Sequence, residues 1–240
     1  MLILKKFFYF WSKSKIIEKL FYYIVAYSYL LLPLCFFLSG SKKKDTIPIV
    51  IGLYGIICCL LLIYFFEMPK SFKPYFKTSY TFFEYIVFTF LFFINFRQKK
   101  IRIFIFFASF LFFLFQLFYV FTGKVKGLDT IPIGLETILI LIYIIYFFYD
   151  FSKNVSTFYI YNHYGFWLAV GILIYLGGSF FFFILFDLLS KEQRNSFGNL
   201  TYLAEIIKNL LFALAIFMYA RYPLENTKNK TSSIPYLDMI

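Results

Sequence analysis

Residues 131–150 read IPIGLETILILIYIIYFFYD. Between Glu136 and the closing Asp150 the run holds no charge, no proline and no glycine. Apolar and polar residues do not alternate, so the two-residue period of a strand is absent. At 1.5 Å per residue the run is long enough to cross a hydrocarbon layer of about 30 Å as a helix, with its backbone hydrogen bonds satisfied internally. Pro132 falls in the first turn, where a missing N–H costs no helical hydrogen bond. The exception is Glu136, a carboxyl group one turn inside an apolar helix. Ionisable side chains in lipid cost several kcal/mol and normally face a bundle interior or a wet cavity. The stretch therefore predicts a spanning helix and asks what its glutamate meets.

Six further runs have the same character: 20–38, 47–66, 80–96, 101–121, 164–189 and 200–220. Together with 131–149 they predict an all-α, polytopic integral membrane protein, a seven-transmembrane-helix up-and-down bundle over 20–220. Residues 1–19 form a basic amphipathic segment without the clean apolar core of a cleavable signal, and the first span serves as the insertion signal. Residues 221–240 read as a flexible polar tail. Hydrophobic residues make up 62% of the 240-residue chain, against about 45–50% in soluble domains, so much of the surface must meet lipid. The 39 Phe and 22 Tyr are mostly bulk of this kind. They share codons built from A and T with Ile, Lys and Asn.

The net charge of +12 is carried largely by short loops and tails, where it sets topology and meets anionic headgroups. The expected partner is therefore the lipid bilayer and not nucleic acid. The compact loops SKKKD (41–45) and RQKKIR (97–102) favour the cytoplasmic side. The expected placement is a multi-pass protein of the cell inner membrane, N-terminus outside and C-terminus cytoplasmic. The three cysteines, Cys35, Cys58 and Cys59, lie inside apolar runs and read as small buried thiols.

Glu136 has counterparts. Glu84 lies in the third span and Glu205 in the seventh. Spans three, five and seven run in the same direction, and each glutamate sits four or five residues past its span's start, about 6–8 Å below one interface. Glu67 and Asp187 end spans two and six at that surface, the outer face in this orientation. Two readings are open. The three carboxyls line one partly hydrated cup that holds a ligand or protons, with Lys208 and Asn209 beside it. Alternatively each is a separate helix-start feature favoured by the helix dipole, with Glu205 and Lys208, three apart, neutralising each other. The convergent reading predicts that Glu136 points into the bundle and meets Glu84 or Glu205.

Small residues predict close helix contacts: Gly52 and Gly55 in the second span, and Gly171, Gly177 and Gly178 in the sixth, with Tyr175 on the face of Gly171 and Gly178. Pro33, inside the first span, predicts a kink. Catalytic motifs are missing. His163 is the single histidine, and neither HExxH nor GxSxG occurs. No enzyme activity, metal or cofactor is expected. A lysine in the last span invites a retinal Schiff base at Lys208 with Glu84 as counter-ion, but Ala204 stands where microbial rhodopsins carry an aspartate.

The segments TSYTFFEYIVFTFLFFINFRQKKIR (78–102), IPIGLETILILIYIIYFFYDF (131–151) and YGFWLAVGILIYLGGSFFFFIL (164–185) resemble an uncharacterised family of small bacterial seven-helix membrane proteins. Its members are commonly encoded beside histidine kinases and other two-component signalling genes. The shared pattern is Glu84 with the basic loop after it, Pro132 with Glu136, Phe166 with Trp167, and Gly177 with Gly178. The resemblance implies a seven-helix fold and a signalling context. It joins the residue reading in an expected function: a non-enzymatic sensory or accessory subunit that relays ligand occupancy to a partner such as a histidine kinase. The alternative is a small transporter or a proton or cation channel using the intramembrane glutamates.

Overall fold

In the computed structural model, which describes residues 15–40, 45–69, 71–96, 98–122, 130–154, 160–185 and 188–221, every regular element is helical. Helices α1 (Lys15–Ser28) and α2 (Leu31–Leu38) share the first predicted span. They are followed by α3 (Thr46–Glu67), α4 (Lys73–Asn95), α5 (Lys99–Phe121), α6 (Thr130–Asn154), α7 (Tyr164–Leu185) and α8 (Lys191–Arg221). A 3-10 turn at Ile160–Asn162 leads into α7. Residues 1–14 of the predicted basic segment, the core of the SKKKD loop, Asp187 and the tail from 222 onward lie outside the described residues.

Five helical stretches are long and apolar enough to cross a membrane: Leu20–Leu38, Thr46–Phe65, Lys99–Phe121, Ile131–Lys153 and Phe197–Arg221. They fit a multi-pass membrane protein. The other two predicted spans are also helices, α4 and α7. Helix α7 is described over Tyr164–Leu185, and residues 186–187, near the end of its predicted span, lie outside the described residues. Helix α4 starts at Lys73, well before the predicted 80, and carries Thr78, Thr81, Glu84 and Thr89 as buried polar residues. Those groups lower its apolarity because α4 turns them toward the other helices. Helix α8 begins nine residues before the predicted 200. A capping box starts it: the Ser190 backbone N–H donates to Gln193 Oε1 (2.9 Å), and the Gln193 N–H donates to Ser190 Oγ (3.4 Å).

The first span is broken where Pro33 requires it. A proline has no N–H to give the carbonyl four residues back, and its ring crowds that carbonyl. The residue four back is Tyr29. The Leu30 and Leu32 N–H groups instead make tight bonds to Tyr27 O (3.0 Å) and Tyr29 O (3.2 Å), so the chain turns between α1 and α2. Gly55 of α3 accommodates the turn. A Cβ there would lie 2.5 Å from Tyr29 O and 2.9 Å from Leu32 Cβ. Gly52 lies one turn earlier against Phe36 and Pro33 of α2.

Helix α8 is packed against α1, α2, α3 and, most extensively, α7. At Gly171 a Cβ would meet Leu211 Cβ at 3.2 Å, and at Gly178 it would meet Ala204 Cβ at 2.8 Å, so α7 approaches α8 through both. Gly177 does not belong with them. It is exposed, with nothing within 4 Å of a Cβ built on it, because it sits one residue, roughly 100° of helix, away from the contact face. Helix α4 lies against α3, α5 and α6, and α6 against α7. Helix α5 is peripheral and presents Phe106, Phe107, Leu111, Phe118 and Phe121 outward. The core is aromatic: Tyr54, Phe88 and Phe212 meet with ring centroids about 6 Å apart (5.9–6.1 Å).

Candidate functional site: a one-sided acidic pocket

The beginnings of α1, α4, α6 and α8 and the ends of α3 and α7 reach one level of the bundle. There they enclose a cavity of about 230 Å³. Its lining runs from Phe65, Phe76 and Lys77, beside the α3–α4 connection, inward to Glu84 and Tyr175. Glu84, Glu136 and Glu205 all line it. The contributing helix ends alternate as an up-and-down chain requires, so the matched depth of the three carboxyls follows from the topology.

Glu84 is held by four donors. Its Oε1 accepts from Tyr54 Oη (2.7 Å), Tyr80 Oη (3.2 Å) and Lys208 Nζ (3.3 Å), and its Oε2 accepts from Tyr175 Oη (2.8 Å). Tyr80 lies one turn before Glu84 on α4, while Tyr54, Tyr175 and Lys208 come from α3, α7 and α8. Lys208 is fully buried. Its three N–H bonds are used on Glu84, Tyr54 Oη (2.7 Å) and Tyr29 Oη (3.0 Å). The rings of Tyr175, Tyr29, Tyr54 and Phe88 surround it at 4.1–5.6 Å from their centroids, which adds cation–π attraction in a dry site. A buried ion pair survives desolvation when its remaining valences are filled in this way.

Lys208 therefore pairs with Glu84 on α4, not with Glu205 on its own helix. Glu205 instead accepts from Tyr29 Oη (2.5 Å), so the Tyr29 hydroxyl links it to Lys208. Tyr29 continues the buried face of α1 formed by Tyr22, Val25 and Ala26, which places its hydroxyl inside the bundle. Lys208 and Asn209 lie one turn deeper than Glu205 and do not line the cavity. Lys208 forms part of the layer behind Glu84. Asn209 turns toward α1, donating to Ser28 Oγ (2.8 Å).

Glu136 differs from both other acids. It is only 4% exposed, and its Oε1 is buried with no hydrogen-bond partner. The neighbouring Thr137 Oγ1 is likewise unpartnered, and both residues line the cavity. The three carboxyls thus meet two ammonium groups: Lys77 in the lining beside the α3–α4 connection, and Lys208, which is committed to Glu84. Neutrality requires one further positive charge, as a proton or as a bound cation. Among the described residues no group of three or more His, Cys, Asp or Glu is arranged to hold a metal ion.

The cavity ends inside the bundle. Glu84 and Asn95 lie about 16 Å apart along α4 at 1.5 Å per residue. Buried Phe88, Leu91 and Phe92 lie between them. Asn95 belongs to a separate cluster, accepting from Tyr164 Oη (2.6 Å) through its side-chain oxygen. Sequence reasoning placed the carboxyls and missed the hydroxyls of Tyr29, Tyr54 and Tyr80. Among 22 tyrosines only two carried a local signal: Tyr29, four residues before Pro33, and Tyr175, on the Gly171–Gly178 face. No protein-family model, no curated protein and no solved structure matches this chain.

Proposed function

We propose that this chain is a non-enzymatic, seven-span sensory or accessory subunit of the cell inner membrane, in which pocket occupancy biases the bundle and a partner protein reads the result. The observation that carries this reading is a dead-end acidic pocket wired into the helix contacts. One hydrogen-bonded cluster, Glu205–Tyr29–Lys208–Tyr54–Glu84–Tyr175, joins α1 and α2, α3, α4, α7 and α8. A ligand that alters Glu205 acts on contacts among all of these elements. It moves an equilibrium only by the difference in its affinity for two arrangements, and a cluster spanning so many helices gives it such differences to act on. The aromatic floor argues against the transporter or channel alternative, which needs a polar path through the whole bundle.

The orientation favoured by the basic loops puts the pocket mouth outside and the C-terminal end of α8 in the cytoplasm, where a histidine kinase or similar signalling protein is the fitting partner. The test is mild-detergent purification of the tagged chain from native membranes, with partners identified by mass spectrometry. The expected result is a reproducible, stoichiometric signalling protein with its own cytoplasmic output domain. Repeated recovery of the chain alone contradicts the relay.

A further inference from the structure

We infer that the cavity is a recognition site for a small organic ammonium compound, whose N–H groups donate to Glu136 and Glu205 while its carbon skeleton lies against the apolar wall. The inference rests on reading the cavity as the input site, and it adds the ligand's chemistry.

Three observations select this class. Glu136 and Thr137 both line the cavity, and Glu136 Oε1 and Thr137 Oγ1 are buried without a hydrogen-bond partner. A buried carboxylate without a donor costs several kcal/mol, and every N–H of the nearby ammonium, Lys208, is already engaged. Lys77, the lysine of the lining, is not bonded to Glu136 Oε1 either, so a donor carried by a ligand suits this oxygen. Second, the charge count of the pocket repels anions, and a neutral hydrocarbon leaves Glu136 as it is. Third, much of the remaining lining is carbon: Leu62, Phe65, Phe76, Ile133 and Leu176. Aromatic and aliphatic walls with a few convergent acceptors suit an amine with a carbon body, whereas a bare metal ion needs a shell of several oxygens. At about 230 Å³ the space lies below the roughly 300–1,000 Å³ of drug-sized ligand pockets, so the body is no larger than a single ring or a short chain.

The test uses the full chain purified into nanodiscs, with benzylamine as the probe and benzyl alcohol as its uncharged counterpart, read by titration calorimetry. Benzylamine should bind saturably, at least tenfold tighter than benzyl alcohol. Glu136→Gln should remove that preference, and Ile133→Trp, which leaves both acids in place and fills the cavity, should abolish binding of both compounds. Three results overturn the inference: equal binding of amine and alcohol, no saturable binding of either, or an unchanged amine preference in folded Glu136→Gln. Sodium or potassium chloride displacing benzylamine more strongly than choline chloride at equal ionic strength also overturns it, in favour of an inorganic cation site. These measurements need no partner. A chain that binds amines but purifies alone loses the relay and keeps the ligand, and one that purifies with a kinase but ignores amines does the reverse.

Discussion

Glu84 and Glu136 are the same residue at the same depth, each 4% exposed, and each lines the same cavity. Glu84 accepts from three tyrosines and a lysine, whereas Glu136 Oε1 accepts from nothing. Burial alone therefore does not say what an intramembrane acid is for. The neighbours decide. Glu84 closes a polar cluster among α3, α4, α7 and α8 and stabilises the fold, while Glu136, on α6, is left with an open valence. A chain with no use for that valence has any apolar residue available at lower cost.

If this contrast is right, disturbing the Glu84 cluster damages the protein more than disturbing Glu136. The largest effect belongs to Lys208→Met. It leaves Glu84 buried beside no cation, and breaking one side of a buried pair costs about 3–5 kcal/mol. Thermal unfolding in detergent, followed by fluorescence, should show this loss. The double variant Lys208→Met with Glu84→Gln should recover most of it, since no uncompensated charge is left behind. A single variant as stable as the wild type breaks the contrast.

Gly55→Ala reaches the same cluster indirectly. The added Cβ would lie 2.5 Å from the Tyr29 backbone oxygen at the kink. Backbone must move, at a cost of about 1–3 kcal/mol, typical of overpacking. Gly177→Ala meets open space and should be neutral or slightly stabilising, as Gly to Ala in a helix usually is. The same unfolding assay separates the pair, and equal losses in both would remove the close-approach account of Gly55.

Tyr29→Phe deletes one hydroxyl that donates to Glu205 and accepts from Lys208. Hydrogen bonds between membrane helices contribute roughly 0.6 kcal/mol on average and at most about 1.7, so a loss near 1 kcal/mol is expected. Glu136→Gln should have the smallest effect, under about 1 kcal/mol in either direction, because no partner is stranded. A loss as large as that of Lys208→Met would assign Glu136 a structural role after all.

The helices were legible because lipid imposes long apolar runs, and the depth of the acids was legible because helix rise converts residue number into distance. The kink was legible from Pro33 alone. Partner choice was not. Glu205 and Lys208 share a helix face, and a local rule pairs them, yet the lysine reaches α4 because Tyr54 and the Tyr29 hydroxyl complete its shell only there. Such shells depend on which helices become neighbours, and span order does not specify that. The polar start of α8 was readable in principle, since Ser190 and Gln193 carry the capping-box spacing.

The central claim is that Glu136 stands in a pocket open to one face of the membrane and closed to the other. The direct measurement is thiol labelling of Glu136→Cys, with Cys35, Cys58 and Cys59 replaced by alanine, in sealed vesicles of both orientations. The reagent is a small membrane-impermeant cationic methanethiosulfonate. Labelling from the face bearing the α3–α4 connection, and none from the opposite face, is the predicted result. Labelling from both faces would show a through-path, and labelling from neither would show that the pocket does not open.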